Sequence, residues 1–352
     1  MANFQPDYNN IIAAATNKTP DRYPLYEHTV SAKVISAIIG EDIYSLSQSE
    51  NLEDRRQFFV KYCNFFREMG YDVVSWECCI GHAMPGSGSL GGHKPPEIKT
   101  AEDFNNYPWD TVGERYFDMF AENFELLREA MPEGMKAIGG VGNGIFECVQ
   151  EIAGYENLCM ISIDDPELYA NLFKTVGQTN LGIWKRFLEN YADVYAVCRF
   201  GDDLGYKAAT MLAPNDIINH IVPQYKAIVE QVHKHNKPFL LHSCGCIFDV
   251  MDSIIEEAQI DAKHSNEDVI APFDDWVSRY GKKIGNFGGI DMDVLCRSTP
   301  DEVRSYTLSV LERNCKPENG GLAFGTGNSI ADYVPPQGYT AMVDAVREFR
   351  KD

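Results

Sequence analysis

Apolar and polar positions along the chain follow two alternating periods. Short runs rich in β-branched and aromatic residues end in small or polar residues, and stretches with helical spacing follow them. Eight such runs occur: 22–26 (weak because of Pro24), 71–76, 135–141, 194–200, 238–242, 260–265, 283–289 and 321–325. Between them the 3.6-residue period predicts helices over 53–69, 216–235, 248–258, 273–280 and 300–314. In the first of these, Phe58, Phe59, Tyr62, Phe65 and Phe66 form the apolar stripe and Gly70 provides the stop. Strand followed by helix, eight times over, predicts an α/β chain: a single (β/α)8 barrel across residues 1–352, with a helical extension over 1–20. The Gly- and Pro-rich stretch 84–109 breaks the rhythm and predicts a lid-like loop over the barrel mouth. Gly86 to Gly91 match G-x-G-x-x-G, but His93-Lys94-Pro95-Pro96 cannot open the helix that a dinucleotide site needs.

Barrel chemistry sits where strands end and helices begin. The residues just past the predicted strands are Glu27 and His28, Glu77 and Cys78, Gly142 and Asn143, Asp202 and Asp203, His242 and Cys244, Asn266 and Glu267, Asp291, and Thr326 and Asn328. Acids and amides at helix starts are also ordinary caps, and Asp202-Asp203 reads equally as a capping pair or as base, anchor or metal ligand. His242-Ser243-Cys244 is the sharpest feature. Side chains at i and i+2 of a strand share a face, so an imidazole and a thiolate converge if that face is inward. That is a two-ligand start for Zn2+, and the competing reading is a buried His beside a buried Cys. Gly245 lets the backbone turn away. A carboxylate would complete the ligands, Glu267 first because it follows the adjacent strand, Glu77 second. Cys63, Cys78, Cys79, Cys148, Cys159, Cys198, Cys296 and Cys315 show no ligand spacing and read as small hydrophobes.

Composition narrows the partners. Of 352 residues, 31 are Lys or Arg and 52 are Asp or Glu, a formal charge of −21. No basic stripe is present, which excludes nucleic acid and argues against anionic membranes. The N-terminus is polar, with no apolar leader core, and no apolar run approaches a membrane span. A cytoplasmic chain with ten reduced cysteines is expected.

In order, Asp21-Arg22-Tyr23-Pro24-Leu25, Gly201-Asp202-Asp203, His242-Ser243-Cys244-Gly245, Gly288-Gly289-Ile290-Asp291 and Gly325-Thr326-Gly327-Asn328-Ser329-Ile330 with Tyr333-Val334-Pro335 resemble the uroporphyrinogen decarboxylase superfamily, from about residue 20 to 350. The resemblance implies a (β/α)8 barrel and two activities. One branch decarboxylates uroporphyrinogen without a cofactor. The other moves methyl groups to or from a corrinoid protein, using zinc held by a His-x-Cys pair and a distant Cys. His242 and Cys244 stand where that pair belongs, while no Cys stands near Asn328, so Glu77 or Glu267 would substitute. The arginines that hold porphyrinogen carboxylates in the first branch are absent.

The expectation is therefore a corrinoid-dependent methyltransferase of the O-demethylase type. It would act on a small methylated substrate such as an aryl methyl ether, with Zn2+ as Lewis acid. Cobalamin would be carried by a separate corrinoid protein, and a homodimer is left open. His242, Cys244 and Glu267 would hold zinc. Asp202, Asp203 and Glu77 would be catalytic, and Trp76, Tyr206, Asn328 and His28 would contact substrate. The alternatives are a decarboxylase and a non-catalytic barrel that binds a tetrapyrrole or corrinoid.

Overall fold

Seven parallel strands pair in chain order: β1 (Val73–Cys79), β2 (Lys136–Gly142), β3 (Tyr195–Gly201), β4 (Phe239–His242), β5 (Ala262–His264), β6 (Gly285–Ile290) and β7 (Leu322–Thr326). At least one helix fills each crossover, so the chain is an α/β barrel of the expected kind. The computed structural model describes residues 4–352; residues 1–3 of the expected extension lie outside them.

The first of the eight expected strands is reduced to a single bridge. Pro24 has no N–H to donate to a ladder. Leu25 bridges Phe324 of β7, with Tyr26 N donating to Phe324 O at 2.8 Å and Phe324 N donating to Pro24 O at 2.9 Å. Towards β1 it is tied by Ser75 Oγ, which donates to His28 O at 2.6 Å. The ring thus has eight staves but seven strands.

The N-terminal helix Asn9–Ala15 closes the bottom of the ring. Its Ile11, Ala14 and Ala15 are buried against Val73, Ile138, Val197, Leu240, Ala262 and Phe287, the inward-facing residues of six strands. Gly321 permits this approach, because a Cβ there would lie 2.0 Å from Ala14 O. Two residues further along four of the strands the inward face turns polar, from Val73 to Ser75, Val197 to Arg199, Leu240 to His242 and Ala262 to His264. The barrel therefore has an apolar floor and a polar ceiling, and the ceiling is where chemistry can occur.

The predicted helices stand within two residues of expectation, at Leu52–Glu68, Phe248–Glu256, Phe273–Tyr280 and Pro300–Asn314. The helix expected over 216–235 is divided into a π-helical turn, Ile217–Ile221, and an α-helix, Val222–Lys234. Pro223 cannot donate the bond that would continue one regular helix. The stretch 84–109 is less loop-like than expected. It contains the helix Ala101–Asn106, started by a Thr100–Asp103 capping box. Its backbone is pinned to the helix Ile145–Ala153: Ser89 N donates to Glu151 O, and Ile98 N to Ile152 O. All ten cysteines are free thiols. Among the described residues no helix is long and apolar enough to cross a membrane.

Glu27 locks the short first stave to β7. It is buried, and Thr326 gives it both its N–H, at 3.2 Å, and its hydroxyl. Burial pushes its carboxyl up to about 8. Between its ordinary range and pH 8, the folded chain then holds a proton that the unfolded chain has lost. That contribution to stability is full below about pH 4.5 and declines as pH rises towards 8. Lys263, lowered to about 7 by burial, has the opposite slope, but only above pH 7. Urea unfolding between pH 5 and 7 should show the stability of wild type falling relative to that of Glu27→Gln as pH rises, since only wild type carries this proton. Parallel slopes would remove Glu27 as the cause.

Candidate metal centre

Strand β4 points Leu240 and His242 into the barrel, and the alternation carries Cys244 to the same side. Gly245, at φ +79°, then turns the chain away; a Cβ there would lie 2.2 Å from the carbonyl carbon of Gly205. His242 Nε2 and Cys244 Sγ are 3.4 Å apart. The third member of the group is Asp203, whose Oδ1 is 3.7 Å from His242 Nε2 and accepts the Cys244 N–H at 2.9 Å. Tetrahedral zinc, with bonds of about 2.3 Å to sulfur and about 2.0–2.2 Å to N and O, sets its ligand atoms about 3.4–3.6 Å apart. The donor set suits zinc; the N–S distance falls in that range, and the N–O distance lies just outside it. Asn328 Nδ2 donates to Cys244 Sγ at 3.2 Å. Burial, and then the Asp203 carboxylate, push the Cys244 thiol above its ordinary range, so binding a metal there must release its proton.

His28, His242 and His264 form a second close group. The His28 ring lies flat on His242, with centroids 3.8 Å apart and planes 15° from parallel. Stacked rings aim their nitrogens along parallel planes rather than at one centre, so this group is a poor cage. His264 Nδ1 is 2.7 Å from His242 Nδ1, and His264 Nε2 is 2.8 Å from Thr326 O. Burial holds all three imidazoles below their ordinary range, His264 at about 3.

The carboxylates differ in their duties. Glu77 is neutralised by Arg199, which is fully buried and donates to Glu77 Oε2 from Nε at 3.0 Å and Nη2 at 2.7 Å. Arg199 Nη1 also donates to Tyr26 Oη and Ser75 Oγ, each at 2.9 Å. Glu77 is thus a salt-bridged wall of the site, with His28 Nε2 at 3.6 Å, and offers no free base. Asp202 is a cap: Oδ2 accepts Phe146 N at 3.0 Å and Oδ1 accepts Glu147 N at 2.8 Å, at the start of the helix Ile145–Ala153. Tyr225 Oη donates to it as well. Burial pushes its carboxyl up to about 6. Of the adjacent pair, Asp203 is the one that faces the centre.

Glu267, the expected carboxylate ligand, is outside the group. In register, Gly201 pairs with His242 and His242 with His264. Asp203 and Cys244 are each two residues past this row, so they meet. Glu267 is three past His264, and its carbonyl starts a turn by accepting Ile270 N and Ala271 N, each at 3.0 Å. Trp76 does not line the mouth either. Ser75 and Glu77 point inward to Arg199, so Trp76 points outward, packing on Phe58, Phe59 and Tyr62. There it borders a cavity of about 320 Å3, also lined by Arg55, Asn123 and Glu77. Asn328 sits on the thiol and His28 on the His242 ring, rather than in open space. Tyr206 is 66% exposed on the rim.

Three buried or half-buried polar groups around the centre are not singled out by the sequence reading: His264, Arg199 and Glu147. His264 ends a predicted strand beside that of His242, and Arg199 interrupts an otherwise apolar run; both signals were present. Glu147 accepts Asp203 N at 3.3 Å and Asn143 Nδ2 at 2.7 Å. Burial, then Asp202 and Asp203, raise its carboxyl well above the usual range.

With this geometry established, comparison with known proteins adds lineage. The family model of uroporphyrinogen decarboxylase (URO-D) matches residues 84–349. A uroporphyrinogen decarboxylase of Janthinobacterium sp. (strain Marseille) is 32% identical over 75 residues, 21% of this chain and 21% of that protein; the match thus spans about a fifth of the relative's length. A solved methyltransferase from Methanosarcina mazei superposes with a TM-score of 0.71 at 16% identity, covering 98% of this chain and 99% of that one. At that identity the likeness is one of fold.

Proposed function

We propose that this chain, which belongs to the uroporphyrinogen decarboxylase family, is a zinc-dependent methyltransferase that passes a methyl group from a small methylated substrate to a corrinoid protein. The observation that carries this reading is the convergence of His242 Nε2, Cys244 Sγ and Asp203 Oδ1, a zinc-type donor set, within 4.8 Å of one another. Three protein ligands leave a fourth tetrahedral position for the substrate heteroatom, the pattern of catalytic rather than structural zinc. Zinc bound there supplies Lewis acidity, easing departure of the methyl group by taking up charge on the substrate oxygen.

The chain's own residues prepare this chemistry. The Asn328 amide donates to Cys244 Sγ and tempers the charge of the thiolate. The Cys244 N–H holds Asp203 Oδ1 beside the centre. The His28 ring covers one face of His242 and keeps water from it. Arg199 cancels the charge of Glu77, so the wall facing the substrate is neutral. Tyr206, Val269 and Tyr333, exposed on the loops that follow β3, β5 and β7, offer apolar contacts to a partner docking over the mouth.

The test is metal analysis of the purified protein, then methyl transfer from a panel of aryl methyl ethers to Co(I) cobalamin. Retention of a single zinc per chain and transfer from at least one ether are expected. Release of CO2 from uroporphyrinogen by metal-free protein would overturn the reading in favour of the decarboxylase.

A further inference from the structure

The hydrogen bonds around His242 contain a definite ordering of protons. Thr326 O is a backbone carbonyl and only accepts, so His264 Nε2, 2.8 Å away, carries a hydrogen. A neutral imidazole has one N–H, which leaves a lone pair on His264 Nδ1. The two Nδ1 atoms are 2.7 Å apart and must share one hydrogen, which then belongs to His242 Nδ1. His242 Nε2 is left with its lone pair, and that nitrogen faces Cys244 Sγ at 3.4 Å and Asp203 Oδ1 at 3.7 Å. The His264 ring is fully buried, with both nitrogens committed, one to the Thr326 carbonyl and one to His242.

We propose that His264 is a positioning residue: it relays the Thr326 carbonyl to His242 and locks His242 in the Nδ1–H tautomer, so that Nε2 is kept ready for the metal. His242 as a zinc ligand is the premise. The relay works because every member is held. The Thr326 carbonyl belongs to β7, and His264 pairs with His242 across β4 and β5. Gly288, beside His264, leaves room for the ring: a Cβ there would lie 3.2 Å from His264 Cδ2. The arrangement is the outer-shell carbonyl–imidazole support known at metal sites, lengthened by one imidazole.

The experiment uses full-length wild-type protein, His264→Leu and His264→Asn. Long-range proton–nitrogen NMR of imidazole-labelled, metal-free protein reads the tautomer, and chelator competition reads Zn2+ affinity. In wild type, His242 should carry its proton on Nδ1. His264→Leu, which has no acceptor, should release that proton to Nε2 and weaken Zn2+ binding by about 10- to 100-fold. His264→Asn, whose Oδ1 stands near the position of Nδ1, should keep both the tautomer and most of the affinity. A wild-type proton on His242 Nε2 would overturn the proposal. So would an unchanged tautomer and affinity in His264→Leu, or equal losses in folded Leu and Asn variants. If His264→Leu fails to fold, the wild-type tautomer and the Asn variant decide. Wild type with the Nδ1–H tautomer but no affinity for zinc would defeat the metal reading and leave the relay intact.

Discussion

Cys244→Ala protein should emerge from purification without zinc and transfer methyl groups at least about a thousandfold more slowly than wild type. The variant removes the sulfur of the three candidate ligands while leaving His242 and Asp203 in place. Lewis-acid assistance contributes several kcal/mol to a transition state, and each ~1.4 kcal/mol is a factor of ten in rate, so loss of the metal readily accounts for that factor. The fold should survive. Cys244 is only partly buried and lies past the end of β4, and its replacement leaves the β3–β4–β5 pairing intact. The checks are zinc per chain by elemental analysis, the rate with Co(I) cobalamin, and circular dichroism. Full zinc content or an undiminished rate in the variant would remove Cys244 from the centre. Asp203→Asn keeps the shape but loses the charge, and should lie between wild type and Cys244→Ala in zinc affinity.

Arg199→Met should lower the free energy of unfolding by about 3–5 kcal/mol, the range for removing one partner of a buried ion pair. Arg199 is fully buried, and its removal leaves the Glu77 carboxylate, itself only 10% exposed, without a counter-charge. Tyr26 Oη and Ser75 Oγ lose a donor at the same time. Ser75 also ties β1 to the weak first stave, so the damage falls where the barrel is least well closed. The double variant Arg199→Met with Glu77→Gln should recover part of the loss, because no buried charge is then left uncompensated. Urea unfolding of the single and double variants reads both numbers. A single variant within about 1 kcal/mol of wild type, the scale of an ordinary hydrogen bond, would mean that the pair is solvated. A double variant no more stable than the single one would mean that lost packing, not charge, is responsible.

Alternation and spacing were enough to locate the architecture. The predicted strand runs overlap all seven strands, and helices such as 273–280 and 300–314 are bounded as the apolar period requires. Both signals are local: a strand's two-residue period and a helix's 3.6-residue period act within a few residues. For the same reason the His242–Cys244 pair was legible, since i and i+2 share a face whatever the strand's neighbours. The first stave shows the limit within that local register. Pro24 signalled weakness, but only pairing with β7 decided that one bridge would remain.

The third member of the candidate metal group was beyond local reach. Asp203 is 41 residues from Cys244, and their meeting depends on the register that sets Gly201 opposite His242. A shift of one residue would have turned Asp203 away and altered which carboxylate approached. The same holds for His264, which stands beside His242 only because β4 and β5 pair in that row. Which of Asp202 and Asp203 caps a helix, and whether Glu77 is free or salt-bridged, depended on Phe146 N and on Arg199, groups 56 and 122 residues away. The sequence by itself determined the periodic elements and the His242–Cys244 pair carried past the end of a single strand. The tertiary structure alone decided the third member of the candidate metal group, the charge balance of Glu77 and the place of His264 beside His242, because these are set by inter-strand register, which no local period encodes.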